Sequence, residues 1–309
     1  MALVPLPPVR GEQEKESHLH PFTYVAPKTV KEAVRILNRY GDRARPLAGG
    51  TDILVQTRAD RYSLDALVDV KTIPELVSVK LDSRGLQIGA AVPCYRIYED
   101  PAVAKAYPGL IDAASLIGGI QIQSRASLGG NLCNASPSAD AVCPLIVHSA
   151  VAVIAGPRGT REVPVEDFCT APGKTVLGKG EFLVSLRMPR PPARFGAAYE
   201  RFIPRNEMDI AVVGVASSVA LDASGRKFRS TRIALAAVGP TPIYASAASE
   251  YLSGKPATEE SIAQAAAMAK VAARPISDMR GTVEQRKHLV EVLTRRTLTK
   301  AVQRARGKK

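Results

Sequence analysis

The chain has 309 residues, of which 46% are hydrophobic and 23% charged, an ordinary composition for a globular protein. This length can hold two domains, or one divided domain, around a sizeable core. The formal net charge of +13 raises the question of nucleic-acid binding, but only 5% of residues are aromatic and Trp is absent, so an anionic cofactor or an acidic partner subunit is favoured.

The first twenty residues mix Pro, Glu and Lys, which predicts a flexible N-terminal arm over residues 1–20. They lack a cationic region followed by an apolar core, so we expect no secretory signal. No stretch reaches the apolar length of a membrane span. His18 and His20 could bind a metal as a pair, but the other histidines are remote in sequence, which favours a solvated arm.

Four cysteines lie at wide and unequal spacings without a CxxC pair: Cys94, Cys133, Cys143 and Cys169. This spacing argues against a structural zinc or a four-cysteine iron–sulfur site, so we predict no metal ligands on this chain. The simpler interpretation is small packing residues or free thiols in a reduced, cytoplasmic protein.

The first predicted lobe covers residues 21–74 and alternates strands with helices, which predicts a small α/β unit. Its predicted elements are a strand at 22–24, a helix from Thr29 to Gly41, a strand at 45–48, a helix from Asp52 and a strand at 67–70.

A first glycine stretch, Ala48-Gly49-Gly50-Thr51-Asp52, joins the second strand of this lobe to the following helix. Paired glycines let a backbone pass close to a bulky anion and turn its amide hydrogens inward. The hydroxyl and carboxylate that follow stand where a helix could be capped.

The second predicted lobe covers residues 75–190 and combines hairpins with helices up to a proline cluster, which we take as the domain boundary. Its predicted features are a hairpin around 82–85, a helix from Tyr107 to Gly118-Gly119, a helix over 141–148, a hairpin around 156–159, a strand over 181–186 and the proline cluster at 189–192.

A second glycine stretch, Ser127-Leu128-Gly129-Gly130-Asn131, lies inside this lobe. Ser127 could donate through its hydroxyl, and Asn131 could bridge backbone and ligand through its amide. Two such loops far apart in sequence could hold one pyrophosphate from both sides with uncharged donors. Neither matches GxxxxGK[ST] or the full GxGxxG fingerprint, so the residues alone leave open a nucleotide-like cofactor and a pair of plain turns.

The last predicted domain covers residues 195–309. Long apolar, β-branched runs predict three antiparallel strands, one ending at Phe202 and two over 211–221 and 228–238. Helices are expected from Ser246, Thr258 and Thr282. The last helix is basic, and its tail is either a solvated end or a surface for subunit docking.

No Ser-His-Asp set, paired-carboxylate site or metal cluster shows a persuasive spacing, so we predict no catalytic residues. A cofactor cradle without acid–base machinery suits electron transfer, because the cofactor then does the chemistry.

The two glycine stretches, with Asn134-Ala135-Ser136-Pro137 and Asp140 just downstream, resemble the FAD-binding medium subunit of the molybdenum hydroxylases. That family includes aerobic carbon monoxide dehydrogenases and xanthine dehydrogenases, and the resemblance covers residues 21–299. It implies an α+β fold with two α/β lobes forming an FAD-binding domain of the vanillyl-alcohol-oxidase/PCMH type. A smaller α+β domain with a three-stranded antiparallel sheet and helices follows. The cysteine-bearing insertion of the 4-hydroxybenzoyl-CoA reductase branch is missing.

The resemblance also implies roles for single residues. Both glycine stretches would hold the FAD pyrophosphate, and Ile53 would lie near the flavin ring. Asn134 and Asp140 match positions that reach ribityl and ribose hydroxyls, although Asp140 could instead cap a helix. Leu183 matches an apolar position against the flavin or adenine. The full set implied for the cofactor is Leu47, Ala48, Gly49, Gly50, Thr51, Asp52, Ile53, Ile117, Ala126, Ser127, Leu128, Gly129, Gly130, Asn131, Asn134, Asp140, Leu183 and Arg201.

Arg201 falls near a basic residue that the xanthine dehydrogenase branch has beside the flavin. A cation there would stabilise the reduced, anionic flavin. The alternative interpretation is an ordinary surface arginine.

The function implied by the resemblance is that of an FAD-carrying electron-transfer subunit in the cytoplasm, or held at the inner face of the membrane by its partners. A large partner would carry a molybdenum cofactor, a small partner would carry two-iron iron–sulfur clusters, and the complex would be a dimer of heterotrimers. The external acceptor could be NAD, a quinone or oxygen. The rival hypotheses are a free-standing flavin-dependent oxidoreductase with its own substrate and an assembly protein whose glycine stretches are only turns.

Overall fold

The computed structural model describes residues 20–307. The predicted N-terminal arm, with His18, therefore lies outside the described residues except for His20, as do Lys308 and Lys309. The strands within the described part are β1 (Thr23–Val25), β2 (Ala44–Leu47), β3 (Ala66–Asp69), β4 (Val79–Leu81), β5 (Gly85–Gly89), β6 (Val151–Gly156), β7 (Gly159–Pro164), β8 (Cys169–Ala171), β9 (Lys174–Thr175), β10 (Phe182–Pro189), β11 (Phe195–Phe202), β12 (Val213–Leu221), β13 (Phe228–Ala236) and β14 (Ile243–Tyr244).

The helices of the same residues are α1 (Val30–Tyr40), α2 (Ile53–Arg58), α3 (Cys94–Tyr98), α4 (Pro101–Ala106), α5 (Pro108–Ala114), α6 (Ile120–Gln123), α7 (Leu128–Asn134), α8 (Val142–Val147), α9 (Ser246–Tyr251), α10 (Glu259–Ala272) and α11 (Val283–Ala305). Short 3₁₀ turns lie at Gly41–Arg43, Val70–Thr72, Pro74–Val77 and Val165–Asp167.

The first lobe is a parallel three-stranded sheet with β3 between β1 and β2. Helix α1 begins where predicted, because the Thr29 hydroxyl accepts a hydrogen bond from the Glu32 N–H at 3.2 Å. Its apolar positions Ala33 and Leu37 are buried, and Gly41 ends the helix with a φ of 57°. Strand β2 then delivers the first glycine stretch.

The second lobe is an antiparallel five-stranded sheet in the order β4-β5-β10-β6-β7. Both predicted hairpins are present, as β4–β5 and β6–β7. Strand β10 lies in the middle and runs to Pro189, further than the strand predicted over 181–186. A small additional hairpin, β8–β9, lies beside this sheet.

Helix α5 is shorter than predicted, because it ends at Ala114 rather than at Gly118-Gly119. The Ser115 hydroxyl donates to the carbonyl oxygens of Ile111 and Asp112. Side-chain bonds of this kind compete with continuation of the helix. The chain then turns and enters α6, which leads to the second glycine stretch.

The C-terminal domain contains an antiparallel sheet in the order β11-β12-β13-β14. The three predicted strands are present. A fourth strand, β14, was not predicted because it has only two residues. All of β12 is buried, because helices cover both faces. Val213 and Val215 face the core under α9, α10 and α11, whereas Ala216 packs against the core of the two N-terminal lobes.

One carboxylate joins the C-terminal domain to the second lobe. Asp112, on α5, accepts hydrogen bonds from Arg304 Nη1 at 2.6 Å and Arg304 Nη2 at 2.9 Å. The same carboxylate accepts from the Tyr199 N–H at 3.1 Å. Helix α11 and strand β11 are thus both anchored on α5, which holds β11 beside the cavity described next.

Candidate functional site

A cavity of about 610 Å³ lies between the two lobes, and β11 of the C-terminal domain contributes to one wall. Both glycine stretches line it, although residues 48–52 and 127–131 are far apart in sequence. All but two of the residues predicted for the cofactor lie on its walls. The exceptions are Leu47 and Leu128.

The first glycine stretch supplies free backbone donors. The N–H groups of residues 49–53 donate to no acceptor within residues 20–307. Gly50 has a φ of +80°, a conformation that glycine adopts without strain. Asp52 precedes α2 as predicted but makes no capping hydrogen bond through its side chain, so the helix start is left open. A row of unpaired amides on a cavity wall is suited to an anion.

The second glycine stretch is a helix start rather than a loop. Ser127 is the N-cap of α7, and its Oγ accepts a hydrogen bond from the Gly130 N–H at 3.0 Å. Sequence analysis predicted that this hydroxyl would act as a donor to a ligand. The cap bond uses the hydroxyl oxygen as an acceptor, since Ser is a preferred N-cap residue, and it leaves the hydroxyl hydrogen free to be donated as predicted.

The glycines of the two stretches have different roles. A Cβ on Gly49 would lie 2.6 Å from the carbonyl carbon of Arg125, and a Cβ on Gly129 would lie 2.6 Å from the Cα of Ala90. These two glycines therefore allow backbones to touch. A Cβ on Gly130 would meet only Ser127 Oγ, at 3.0 Å, among the described residues. Gly130 thus keeps the cavity wall free of a side chain.

Two asparagines connect the elements around the cavity. The Asn131 Oδ1 accepts from the Ala141 N–H at 3.0 Å, as predicted for the backbone half of its bridging role. Asn134 Oδ1 accepts from Gln56 Nε2 at 2.9 Å, and Asn134 Nδ2 donates to Asp52 Oδ1 at 3.3 Å. Asn134 therefore ties α7 to α2, which carries the first glycine stretch.

Asp140 and Arg201 form a buried ion pair on the cavity wall. Arg201 Nη1 donates to Asp140 Oδ2 at 2.6 Å, and the Tyr199 hydroxyl donates to Oδ1 at 2.6 Å. The Arg201 side chain is 5% exposed, so its interpretation as a surface arginine is wrong. Burial raises the pKa of Asp140, while Arg201 and Tyr199 act in the opposite direction.

The helix-cap interpretation of Asp140 is also wrong. Helix α8 has Ala141 as its N-cap, without a capping side chain. Asp140 turns toward β11 instead, because a buried carboxylate requires a cation and donors. Arg201 Nε is buried and has no partner among the described residues.

Apolar side chains line other parts of the cavity. Ile53, Ile117, Ala126 and Leu183, which sequence analysis predicted to contact the cofactor, are on its wall. Cys133 also lines it, and burial raises the pKa of its thiol to about 12, so it is a neutral lining group.

Leu47 and Leu128 do not line the cavity, contrary to prediction. Leu128 is 1% exposed within the core of the two lobes. Leu47 ends β2 in a buried position. Each is apolar and lies in or next to a glycine stretch, and hydrophobic burial accounts for its low exposure.

Three residues of the site were missed by sequence analysis. Gln56 lies four residues after Asp52, so both face one side of α2, a spacing that could have revealed it. Tyr199 lies two residues before Arg201 in a strand, which puts both on one face. Arg125 donates from Nε to Gly49 O at 3.1 Å, and no local sequence pattern predicts that contact.

The residues present fit a dinucleotide such as FAD. The glycine stretches offer uncharged amides, and Gly130 leaves space that a Cβ would take. Among the cations on the wall, Arg201 already carries a carboxylate partner, while Arg45 and Lys179 also line the cavity and add positive charge that suits an anion. Such an arrangement can bind and orient a diphosphate, with apolar contacts available for rings.

Two kinds of feature are absent from residues 20–307. Within residues 20–307, no helix has the length and apolarity needed to cross a membrane. In the same range, His, Cys, Asp and Glu side chains form no cluster of three or more placed to hold a metal ion. His20 contacts Asp60 Oδ1 at 3.1 Å on the surface.

Two family models match the chain. Residues 20–191 match "FAD binding domain in molybdopterin dehydrogenase", and residues 197–301 match "CO dehydrogenase flavoprotein C-terminal domain".

Curated relatives match over nearly their whole length. The xanthine dehydrogenase FAD-binding subunit of Escherichia coli O157:H7 is 33% identical over 288 residues, covering 93% of this chain and 98% of the relative. The carbon monoxide dehydrogenase medium chain of Afipia carboxidovorans is 31% identical over 286 residues, with coverages of 93% and 98%.

Solved structures match as well. A carbon monoxide dehydrogenase chain from Hydrogenophaga pseudoflava, from an enzyme that lacks the Mo-pyranopterin moiety of the molybdenum cofactor, superposes with a TM-score of 0.88 at 32% identity. The match covers 93% of this chain and 99% of that one. A chain of quinoline 2-oxidoreductase from Pseudomonas putida 86 gives a TM-score of 0.85 at 30% identity, with the same coverages.

Proposed function

The chain belongs to the family of FAD-binding medium subunits of molybdenum hydroxylases, and on this premise we propose that it is the electron-transfer subunit of such a complex. The matches confirm the predicted family, fold class and FAD cofactor. In the proposal, a small partner with two-iron iron–sulfur clusters delivers electrons and an external acceptor removes them. A large partner carries the molybdenum cofactor, and the assembly is a cytoplasmic dimer of heterotrimers.

The observation that carries the proposal is the cradle of uncharged donors. The free N–H groups of residues 49–53 and the open position at Gly130 line one cavity. Such amides can hold a pyrophosphate without adding a charge that would have to be balanced elsewhere. Bound FAD supplies two-electron chemistry, and this chain supplies position and electrostatics.

Specific residues take on roles in this proposal. Residues 48–52 and 127–131 hold the pyrophosphate, with Gly130 leaving room for it. Ile53 and Leu183 offer apolar contacts to the rings. Arg201, held by Asp140, places a cation at the cavity, where it favours a reduced anionic flavin. Asn134 holds the two glycine stretches together by its contacts with Gln56 and Asp52.

Two carboxylates on the cavity wall are paired with cations, which favours an electron-transfer subunit over a free-standing flavoenzyme. Such an enzyme would need a base beside the flavin. Asp140 is paired with Arg201 at 2.6 Å, and Asp209 with Arg205 at 3.6 Å. Both carboxylates line the cavity, so these two acids are committed to cations. Asp52 also lines it and accepts a hydrogen bond from the Asn134 amide, but it belongs to the first glycine stretch, where the proposal places the pyrophosphate rather than the flavin ring.

The test is an absorption spectrum of the natively purified protein with whatever accompanies it. Flavin bands together with two partner subunits, iron–sulfur absorbance and molybdenum are the expected result. Flavin without partners, and turnover of a small substrate by the chain alone, would establish the free-standing enzyme instead. A colourless protein that rejects added FAD would refute both and favour an assembly protein.

A further inference from the structure

Three side chains from two domains meet at the cavity wall, with Asp140 and Arg201 on the wall and Tyr199 behind it. Tyr199 and Arg201 come from β11, and Asp140 comes from the second lobe, just before α8. The Tyr199 hydroxyl and Arg201 Nη1 each donate to a different oxygen of Asp140, both at 2.6 Å. Tyr199 is 1% exposed and Asp140 is 7% exposed. The carboxylate is therefore shared between one cation and one neutral donor.

The structure holds Tyr199 firmly in this position. Its N–H donates to Asp112 Oδ2 at 3.1 Å. Gly214 lies on β12 opposite Arg201, and a Cβ there would be 2.7 Å from the tyrosine hydroxyl. The glycine thus provides the space in which the hydroxyl reaches Asp140. Because residues two apart in a strand face the same side, β11 presents both donors to one carboxylate.

The hydroxyl bond stabilises the ionised form of Asp140. A donor to a carboxylate favours its charged form, and burial opposes it. Burial raises the pKa of Asp140, whereas the Tyr199 hydroxyl and Arg201 lower it. While Asp140 is ionised, it neutralises most of the charge that Arg201 brings to the cavity. If Asp140 took up a proton, that charge would be uncompensated.

We propose that Tyr199 is a positioning residue that keeps Asp140 ionised against Arg201, and so limits the positive charge that Arg201 presents to the flavin. This inference rests on the proposed function, because it requires FAD to be bound where the charge of Arg201 acts on the flavin. Tyr199 itself does not line the cavity and acts through Asp140. Its effect is to keep the flavin reduction potential lower than an unpaired arginine would make it.

The groups that face Asp140 limit what else could titrate there. From β11 they are Arg201 and Tyr199, and from α8 the thiol of Cys143. Burial raises the pKa of the Cys143 thiol and that of Tyr199, so both stay neutral near neutral pH. Within the described residues, Asp140 is the group of this cluster whose protonation would change the charge.

The experiment compares flavin midpoint potentials of the purified complex in wild type and Tyr199→Phe, at about pH 8 and about pH 6. The variant should have the more positive potential, and its difference from wild type should grow as the pH falls, because Asp140 protonates more readily. Tyr107→Phe is the matched control. Tyr107 is equally buried, and its hydroxyl donates to Pro189 O at 3.0 Å, away from Asp140.

A second variant keeps the proposal testable if Tyr199→Phe folds poorly. Asp140→Asn removes the charge and should make the potential more positive than in wild type at both pH values, by a nearly constant amount. The inference is overturned if FAD-loaded Tyr199→Phe matches wild type at both pH values, or if Tyr107→Phe shifts equally. Wild-type complex without FAD would overturn the proposed function, and this inference with it.

Discussion

Gly49 and Arg125 join the two glycine stretches by direct backbone contact. Arg125 Nε donates to Gly49 O at 3.1 Å, and the Gly49 Cα lies so close that a Cβ would be 2.6 Å from the Arg125 carbonyl carbon. Arg125 is two residues before Ser127, the N-cap of α7. The close backbone contact at Gly49 therefore helps to set the distance between the two walls of the cavity. This structural role does not require Gly49 to contact the cofactor.

Gly49→Ala should destabilise the protein and weaken FAD binding together. The added methyl would collide with backbone that cannot rotate away, and overpacking of this kind costs about 1–3 kcal/mol. Denaturant unfolding would measure the stability, and titration with FAD the affinity.

Gly130→Val is the matched substitution in the other stretch. Its Cβ would meet only Ser127 Oγ, and Val is no worse than Gly in a helix. The Cβ would crowd the Ser127 cap, so we expect a loss of stability of about 1 kcal/mol or less, together with strongly reduced FAD binding. Wild-type FAD affinity in Gly130→Val would show that α7 does not adjoin the pyrophosphate.

Asn134→Ala should raise the FAD dissociation constant about tenfold, since it removes two hydrogen bonds of about 0.5–1.5 kcal/mol each. These bonds, to Gln56 and Asp52, hold α7 against α2. Gln56→Ala removes only one of them and should have a smaller effect. Equal FAD affinity in wild type and Asn134→Ala, measured by flavin fluorescence, would contradict this role.

Glu181 should contribute stability that disappears in acid. Two hydrogen bonds from Arg161 lower the pKa of Glu181 from its usual 4.5 to about 2. Because the folded-state pKa is depressed, this stabilisation is complete above about pH 4.5 and is lost as the pH falls toward 2.

The comparison for Glu181 is with Glu181→Gln. At neutral pH the variant should be less stable by about 1–2 kcal/mol, a value that allows for the partial exposure of Arg161. The two proteins should converge at low pH in urea unfolding experiments. A stability difference that stayed constant down to the acid limit would rule out the ion pair as its source.

Asp112→Ala should destabilise the protein by about 2–3 kcal/mol, because it leaves Arg304 without its carboxylate and the Tyr199 N–H without an acceptor. Glu259→Ala is the control. It removes an ion pair with Arg295 in which the glutamate side chain is 82% exposed, and it should cost less than about 1 kcal/mol. Equal losses in thermal unfolding would mean that Asp112 does not join the domains.

Much of the fold was predictable because its causes are local. Helix α1 follows from Thr29 as a cap and from apolar residues at helical spacing. The hairpin β6–β7 follows from turn residues between two apolar runs. The family was predicted from the two glycine stretches together, because their joint occurrence in one chain is much more specific than either stretch alone. The proposed placement of the cofactor at these stretches is itself still a prediction.

The tertiary structure decided the roles of single residues at the site. Asp140 is 61 residues from Arg201 in the chain, and Asp112 is 192 from Arg304. Sequence determined that glycines, carboxylates and an arginine were available. Only the packing of β11 against α5 and α8 determined which of them pair, because a contact between distant segments leaves no periodic pattern in either one. For the same reason, Gly49 and Gly130 look alike in sequence but have different roles. The residues that surround each glycine in space decide its role: Gly49 allows close contact with another backbone segment, and Gly130 leaves the cavity open.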